Sequence, residues 1–469
     1  SDSGAYQFGA SELLEATVEN RYQRLHIQAT ITDLGTQRSR EVFTVDRPAS
    51  DGVITAFDEL AMHIDGHARK FSTNNDGAAM AYVEAITSND AQKRIEQTKD
   101  AISADPAFGL AYVSLAEMLS RTPGQNLDQL MTAADAHQNS FTPIDRARWK
   151  AVLARYSHAP LAQQAGSIAA ILQYAPNDLD ALTTLASDSY LEGNAKEGER
   201  LMRRALELSP NNPNIRLQMA HGMLQVGNFR AAEQVLAGFE NNAAVLPDLA
   251  VCVLLKGDAP RANTVFSRYV DIRQSGGDPA VPLSRATWTA ITQTREKAID
   301  YLRSLTLPNP DLESRAQSQM AVWQLIGNDR AGALQNASIA SRNAASPLSK
   351  AFALAAMLIA SGDDSAEELR SRIAASPGDD ATKRAVLGYG LFLYHRYSEA
   401  AGIWEAAYRT SGGTDLRSRA MLAACLERAG RTPEANALHV EAFVPNLSGD
   451  DEYAIIPFNE MRRLLKPGS

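Results

Sequence analysis

Eight histidines, two cysteines and 55 acidic residues are the side chains of this 469-residue sequence that could bind metal or move protons. His63 and His67 stand four apart, the spacing that puts two imidazoles on one face of a helix and could offer zinc two ligands. No third ligand is adjacent, so the pair reads as a solvated helix face and no metal is expected. Cys252 and Cys425 each sit in an apolar stretch, the setting of a buried free thiol rather than of a disulfide or redox pair. The clusters Asp363-Asp364, Asp379-Asp380 and Asp450-Asp451-Glu452 lack the alternating pattern of a calcium loop and read as helix caps or solvated loops. Asn336-Ala337-Ser338 and Asn446-Leu447-Ser448 fit the glycosylation pattern at the frequency chance gives. There is no glycine-rich phosphate loop, dinucleotide fingerprint, His-Glu-x-x-His or Gly-x-Ser-x-Gly. The residues therefore point away from an enzyme and from any cofactor.

The formal charge of -9 comes from 55 acidic against 46 basic residues, with neither sign gathered into a long run. A phosphate-binding footprint needs a concentrated basic face, so nucleic acid is not an expected partner. No apolar run approaches the roughly 20 residues that span a bilayer, and no charged-then-apolar signal opens the chain. The sequence starts at Ser1 rather than Met, which leaves room upstream for a removed signal, an anchor or a further domain. Apolar residues make up 45% and aromatics only 7%, which with abundant alanine suggests many closely packed helices. At this length one core is too few, so two or three domains or one elongated array is expected.

Residues 1–72 differ from the rest. Leu25, His26, Ile27, Gln28, Ala29, Thr30, Ile31 and Thr32 alternate apolar and polar, the period of a half-buried strand. Leu13–Val18 and Glu41–Val45 flank it, with turns at Glu19-Asn20-Arg21 and Gly35-Thr36, and predict a three-stranded antiparallel meander. A helix capped by Ser50 or Asp51 should come next, its stripe running through Ile54, Phe57, Ala61, Ile64, Ala68 and Phe71. So small an α+β segment has a thin core and is expected to lean on the helices after it. Leu14-Glu15-Ala16-Thr17-Val18 and the strand from Arg24 to Asp33 resemble the second half of the TolB-like domain that precedes helical repeats in many bacterial signalling proteins.

From about residue 77 the chain repeats. Gly193 and Gly227, Pro176 and Pro210, and Ala186 and Ala220 are each 34 residues apart. Leu182, Leu185, Ala186, Gly193, Met202, Ala205 and Pro210 fall where tetratricopeptide (TPR) repeats place a large residue, Leu, a small residue, a turn Gly, a large residue, Ala and a closing Pro. The same phase recurs at Tyr112, Leu115 and Ala116, at Leu249 and Ala250, at Leu387, Gly388 and Trp404, and at Leu422 and Ala423. The small residues let paired helices approach and the large ones fill the gap to the next pair, so Trp149, Trp288, Trp323 and Trp404 are expected in the core. About nine helix pairs are expected. The spacing breaks at about 121–175 and at 274–283.

The fold class read here is mainly α: a TPR-like α-α superhelical solenoid preceded by the small α+β segment. The expected divisions are 1–72, repeats at 77–275, repeats at 276–445 and a capping segment at 446–469. Stacked pairs leave a concave side lined by the first helix of each pair. In proteins similar to this one that groove binds a peptide or a partner domain. The resemblance would point Asp180, Thr183, Ser187 and Tyr190, then Asn214, Leu217, His221 and Gln225, into it. Repeats that grip a C-terminal carboxylate place an Asn where Glu117, Ser187 and His221 stand, so that recognition is not expected. The implied function is a non-enzymatic scaffold for a protein or peptide partner. The alternative is the sensory or regulatory region of a larger bacterial signalling protein whose transcription-regulator, cyclase or kinase domain lies upstream.

Overall fold

A computed structural model describes residues 12–440 except 67, 121–126, 211, 241, 363–364, 378 and 414, together with 447, 453 and 456. His67 and most of the expected 446–469 cap lie outside the described residues. The chain forms two compact units, Ser1–Leu185 with Leu201–Asn212, and Ala186–Arg200 with Pro213–Ser469.

Unit 1 opens on an antiparallel meander of β1 (Glu12–Arg21), β2 (Arg24–Asp33) and β3 (Arg38–Pro48), in the order β1-β2-β3. The first turn is tighter than expected: β1 runs on to Arg21, and Tyr22 and Gln23, at φ 52° and 62°, connect it to β2. Two left-handed residues in succession twist a hairpin connection to match its strands. Helix α1 (Val53–Ile64) lays Ala56 and Leu60 on Leu25, Ile27, Ala29 and Val45. It is shorter than the sequence stripe suggests. Gly52, at φ 83°, is its cap in place of Ser50 or Asp51, and Asp65 ends it before Ala68 and Phe71. Phe57 stays exposed, and Phe71 packs edge-on to Phe108, 5.6 Å between centroids. The segment does lean on the next helix, because Asp76 accepts from the Val53 and Ile54 backbone N–H at 3.2 and 3.4 Å.

The helices of unit 1 and its border continue as α2 (Asp76–Thr87), α3 (Ala91–Ala104), α4 (Gly109–Ser120), α5 (Asp128–His137), α6 (Pro143–Tyr156), α7 (Leu161–Tyr174), α8 (Leu179–Leu191) and α9 (Ala195–Leu208), with short 3-10 turns at Ala49–Asp51 and Gln138–Ser140. The division between the units falls inside α8 and α9. Unit 2 then holds α10 (Pro213–Gln225), α11 (Phe229–Leu236), α12 (Leu246–Leu255), α13 (Ala259–Ser275), α14 (Val281–Thr292), α15 (Arg295–Arg303) and α16 (Pro310–Ile326). Its remaining helices are α17 (Arg330–Asn343), α18 (Pro347–Ala360), α19 (Ala366–Ala375), α20 (Asp380–Leu393), α21 (Tyr397–Thr410), α22 (Leu416–Arg428) and α23 (Thr432–Asn436). From α2 on, these 22 helices make eleven successive pairs among the described residues, more than the nine expected. The two breaks in spacing hold helices too, α5 to α7 across the first and the α13–α14 turn at the second.

A recurrent backbone feature marks the pairs. Gly193, Gly227, Gly257 and Gly430 end first helices with φ between 75° and 93°, the left-handed conformation that closes a helix. His158, Asn328 and His395 do the same at φ 50°, 62° and 57° without glycine's freedom. Gly388 lies against Trp404, where a Cβ would come within 2.7 Å of the indole. All four tryptophans are buried, as their repeat positions imply, and so are both cysteines. Asp379 caps α20 through the Thr382 N–H, whereas Asn336 is buried and donates to Gln324 at 2.6 Å.

Candidate functional site

In unit 1 the first helices α4, α6 and α8 enclose a groove of about 250 Å³. Leu110, Val113 and Glu117 come from α4, and Arg148, Val152 and Arg155 from α6. Each set advances by three or four residues, so each is one helical face turned to one side. Ile168 and Ile171 of α7 add to the floor, and Asp178, Asp180 and Thr184 at the start of α8 close the lining. The α4 start can approach α6 because Gly109 has no Cβ; one would stand 2.7 Å from Asp145 Cβ. Asp145 is itself buried, and its carboxylate accepts from the hydroxyls of Ser72 and of Thr142, the cap of α6.

The groove has an apolar floor and a rim of both charges. Arg148 Nη2 donates to Asp178 Oδ2 at 2.9 Å, and the other oxygen of Asp178 caps α8 through the Ala181 N–H at 3.0 Å. Glu117, Arg155 and Asp180 are exposed and enter no ion pair among the described residues. Tyr82 and Ser114 share a hydrogen bond of 2.8 Å beside the groove, and burial pushes the Tyr82 hydroxyl above its ordinary pKa. Nothing in this set resembles a nucleophile with its base, and among the described residues no three metal-ligating side chains converge.

The eight expected groove residues separate. Asp180 lines the unit 1 groove, while Thr183 is buried. Ser187 is half-buried. Tyr190, expected to point into the groove, is instead buried, its ring over Gly222 and Gly198, where any Cβ would overlap it. Asn214 is exposed, Leu217 half-buried and Gln225 buried. His221 is the one that meets chemistry: its Nε2 lies 2.7 Å from Oδ1 of the buried Asp248, with 47% of the imidazole side chain open. Burial alone would lower the imidazole pKa, but the Asp248 charge and hydrogen bond outweigh it and raise it above the ordinary value. Asp248, in the first turn of α12, is absent from the sequence reading.

Elsewhere in unit 2 the faces equivalent to His221 are closed. His221 follows the small residue Ala220, and Val251, Val322 and Ala424 follow Ala250, Ala321 and Ala423 in the same way. All three are buried. Unit 2 also returns on itself. Arg419 of α22 is 2% exposed and donates to the Leu191 carbonyl at the end of α8, 228 residues away, and to the Leu438 carbonyl at 2.6 Å. Gly193 fits beneath the His439 ring, which a Cβ would meet at 3.0 Å.

The described residues include no helix long and apolar enough to cross a membrane. No curated protein matches the chain. Among solved structures it is similar to yeast Tom70, at 14% identity and TM-score 0.32 over 77% of this chain and 88% of that one. It is similar also to the human IFIT1 dimer with PPP-AAAA, at 13% identity and TM-score 0.31 over 79% and 90%. Against Naa15/Naa10 bound to HypK-THB it has 13% identity and TM-score 0.26, and spans 64% of that chain with 81% of its own. The family model described as tetratricopeptide repeat matches residues 189–238, from the end of α8 through α11. The chain carries a tetratricopeptide repeat at residues 189–238, within a longer run of helix pairs.

Proposed function

We propose that this chain is a non-enzymatic scaffold that holds an extended segment of a partner protein in the groove of α4, α6 and α8. The supporting observation is that groove itself: an apolar floor of Leu110, Val113 and Val152 beneath charges of both signs, Glu117, Arg155 and Asp180, that enter no ion pair among the described residues. An apolar side chain of a peptide would fill the floor, and charges beside it would meet the rim. A rim charge sets specificity and encounter rate more than raw affinity, so Arg155→Glu is expected to weaken partner binding by about tenfold. The test is a photo-crosslinking residue at Ser114, inside the groove, compared with one at Lys99, exposed on α3. Discrete protein adducts from position 114 that diminish with Arg155→Glu support the scaffold. Adducts of the same identity and yield from both positions would overturn it.

A second reading has its own support in the sheet. Val18 pairs with Ile27 and Leu14 with Ile31, so both lie on the face that α1 covers, yet they remain 45% and 53% exposed. An apolar face left open on an edge strand suits the regulatory part of a larger bacterial signalling protein, whose further residues would cover β1. Such a domain is the one the TolB-like resemblance implies. Recovery of the complete reading frame tests this: an effector domain encoded upstream supports it, and a signal peptide alone rejects it.

A further inference from the structure

Unit 2 carries a pocket of its own, of about 260 Å³, between α11 and α13, the second helices of two successive pairs. Arg230, Glu233, Gln234 and Ala237 line it from α11 and its end, at spacings of three, one and three that keep them on one helical face. Leu249 of α12, which is 2% exposed, joins Ala237 as the apolar part of the lining. Glu233 fixes the charges around it. Its side chain is 13% open and accepts from both Lys256 Nζ, at the end of α12, and Arg261 Nη1 of α13. Burial alone would raise the Glu233 pKa, but these two bonds outweigh it and hold it below the ordinary value. Glu240 accepts from the Gly238 backbone N–H and from its own, which with the charges of Arg268 and Arg261 holds its pKa low as well. Arg230 and Gln234 differ from these: both are exposed and enter no ion pair or hydrogen bond among the described residues. Three cations thus face two carboxylates that are already engaged, and one positive charge is left over at Arg230.

We infer that this pocket binds a small monocarboxylate with a short apolar body, its carboxylate held by Arg230 and Gln234 and its apolar end set against Leu249 and Ala237. An arginine fork grips a carboxylate through two parallel N–H donors, and the Gln234 carboxamide, one helical turn on, supplies a third. Charge selects among anions. A dianion such as phosphate brings a second negative charge beside Glu233 and Glu240, and like-charge repulsion disfavours it. Size selects too, since the volume lies just under the roughly 300 Å³ at which pockets for drug-sized ligands begin, and so suits a short-chain acid. The site shares no residue with the groove of α4, α6 and α8 and stands whether or not that groove holds a partner.

The test is calorimetric titration of the full chain with hexanoate at constant ionic strength, which should show saturable binding. Arg230→Gln removes the free charge and is expected to weaken that binding by about tenfold. Gln234→Glu, which sets a carboxylate beside Arg230, should weaken it further. Both side chains are exposed and bond to nothing among the described residues, so both variants should keep the circular dichroism spectrum and Tm of the unaltered chain. Acetate, which lacks the apolar body, should bind about tenfold more weakly than hexanoate. Hexylammonium, of like length and opposite charge, should not bind. The inference is overturned by a lack of saturable hexanoate binding, or by binding that both variants leave unchanged. Acetate, inorganic phosphate or hexylammonium binding as tightly as hexanoate would overturn it equally.

Discussion

His221 and Asp248 make stability depend on pH in a definite direction. An imidazole whose folded pKa is raised stabilises the fold fully below its unfolded value of about 6.5, and the contribution is lost as pH rises through the folded value. Asp248→Asn removes the charge while the surroundings stay buried, so the His221 pKa should drop. Denaturation midpoints of the unaltered chain and Asp248→Asn should differ more at about pH 5.5 than at about pH 8.5. An equal gap at both would show that the pair acts as a hydrogen bond alone. At this scale the sequence was informative about residue type and poor about direction. It singled out His221 but carried no sign of Asp248, 27 residues on, whose contact with it depends on how α10 and α12 stack. Tyr190 failed for the opposite reason, since the glycines that receive its ring, Gly198 and Gly222, are visible in the sequence while their contact with it is not.

Among the elements, first helices are shaped as much by what is missing as by what is present. Gly388 has Trp404 against its Cα, so Gly388→Ala forces either the indole or α20 to shift, at a cost of about 1–3 kcal/mol despite alanine's better helix propensity. Thermal unfolding monitored by circular dichroism checks this, and an unchanged or raised Tm would show that α20 and α21 can separate freely. The helix pairs were legible where small residues, large residues and turn glycines keep one phase. They were undercounted where His158 and Asn328 take over the left-handed turn, because these residue types announce a positive φ far less strongly than glycine does. The N-terminal helix was overestimated for a related reason: the apolar period continues through Ala68 and Phe71, but Asp65-Gly66 ends the helix and Phe71 packs on Phe108 instead.

Within unit 2 the largest departure from a simple repeat array is Arg419. In an ideal array each pair depends chiefly on its neighbours, yet this guanidinium joins the end of α8 to α22 and to Leu438. Burial holds its pKa below the ordinary arginine value, and the Tyr408 ring, 5.8 Å away, lies beside the charge. Arg419→Ala removes this donor from the Leu191 and Leu438 carbonyls and is expected to cost about 2–4 kcal/mol. Hydrogen exchange should then speed up at both ends of the closure, around Leu191 and around α22, with little change at α14. Faster exchange confined to α22 would mean that the contact adds nothing to α8. No repeat spacing could have disclosed this bond, since it joins residues that belong to different repeats and share no phase.

That bond also bears on how the chain is made. The Leu191 carbonyl must wait for a residue 228 positions later, which at ordinary translation speeds of about 5–20 residues per second is an interval of roughly 10 to 45 seconds. Through that interval the end of α8 lacks this partner, and the contact forms only after α22 has left the ribosome.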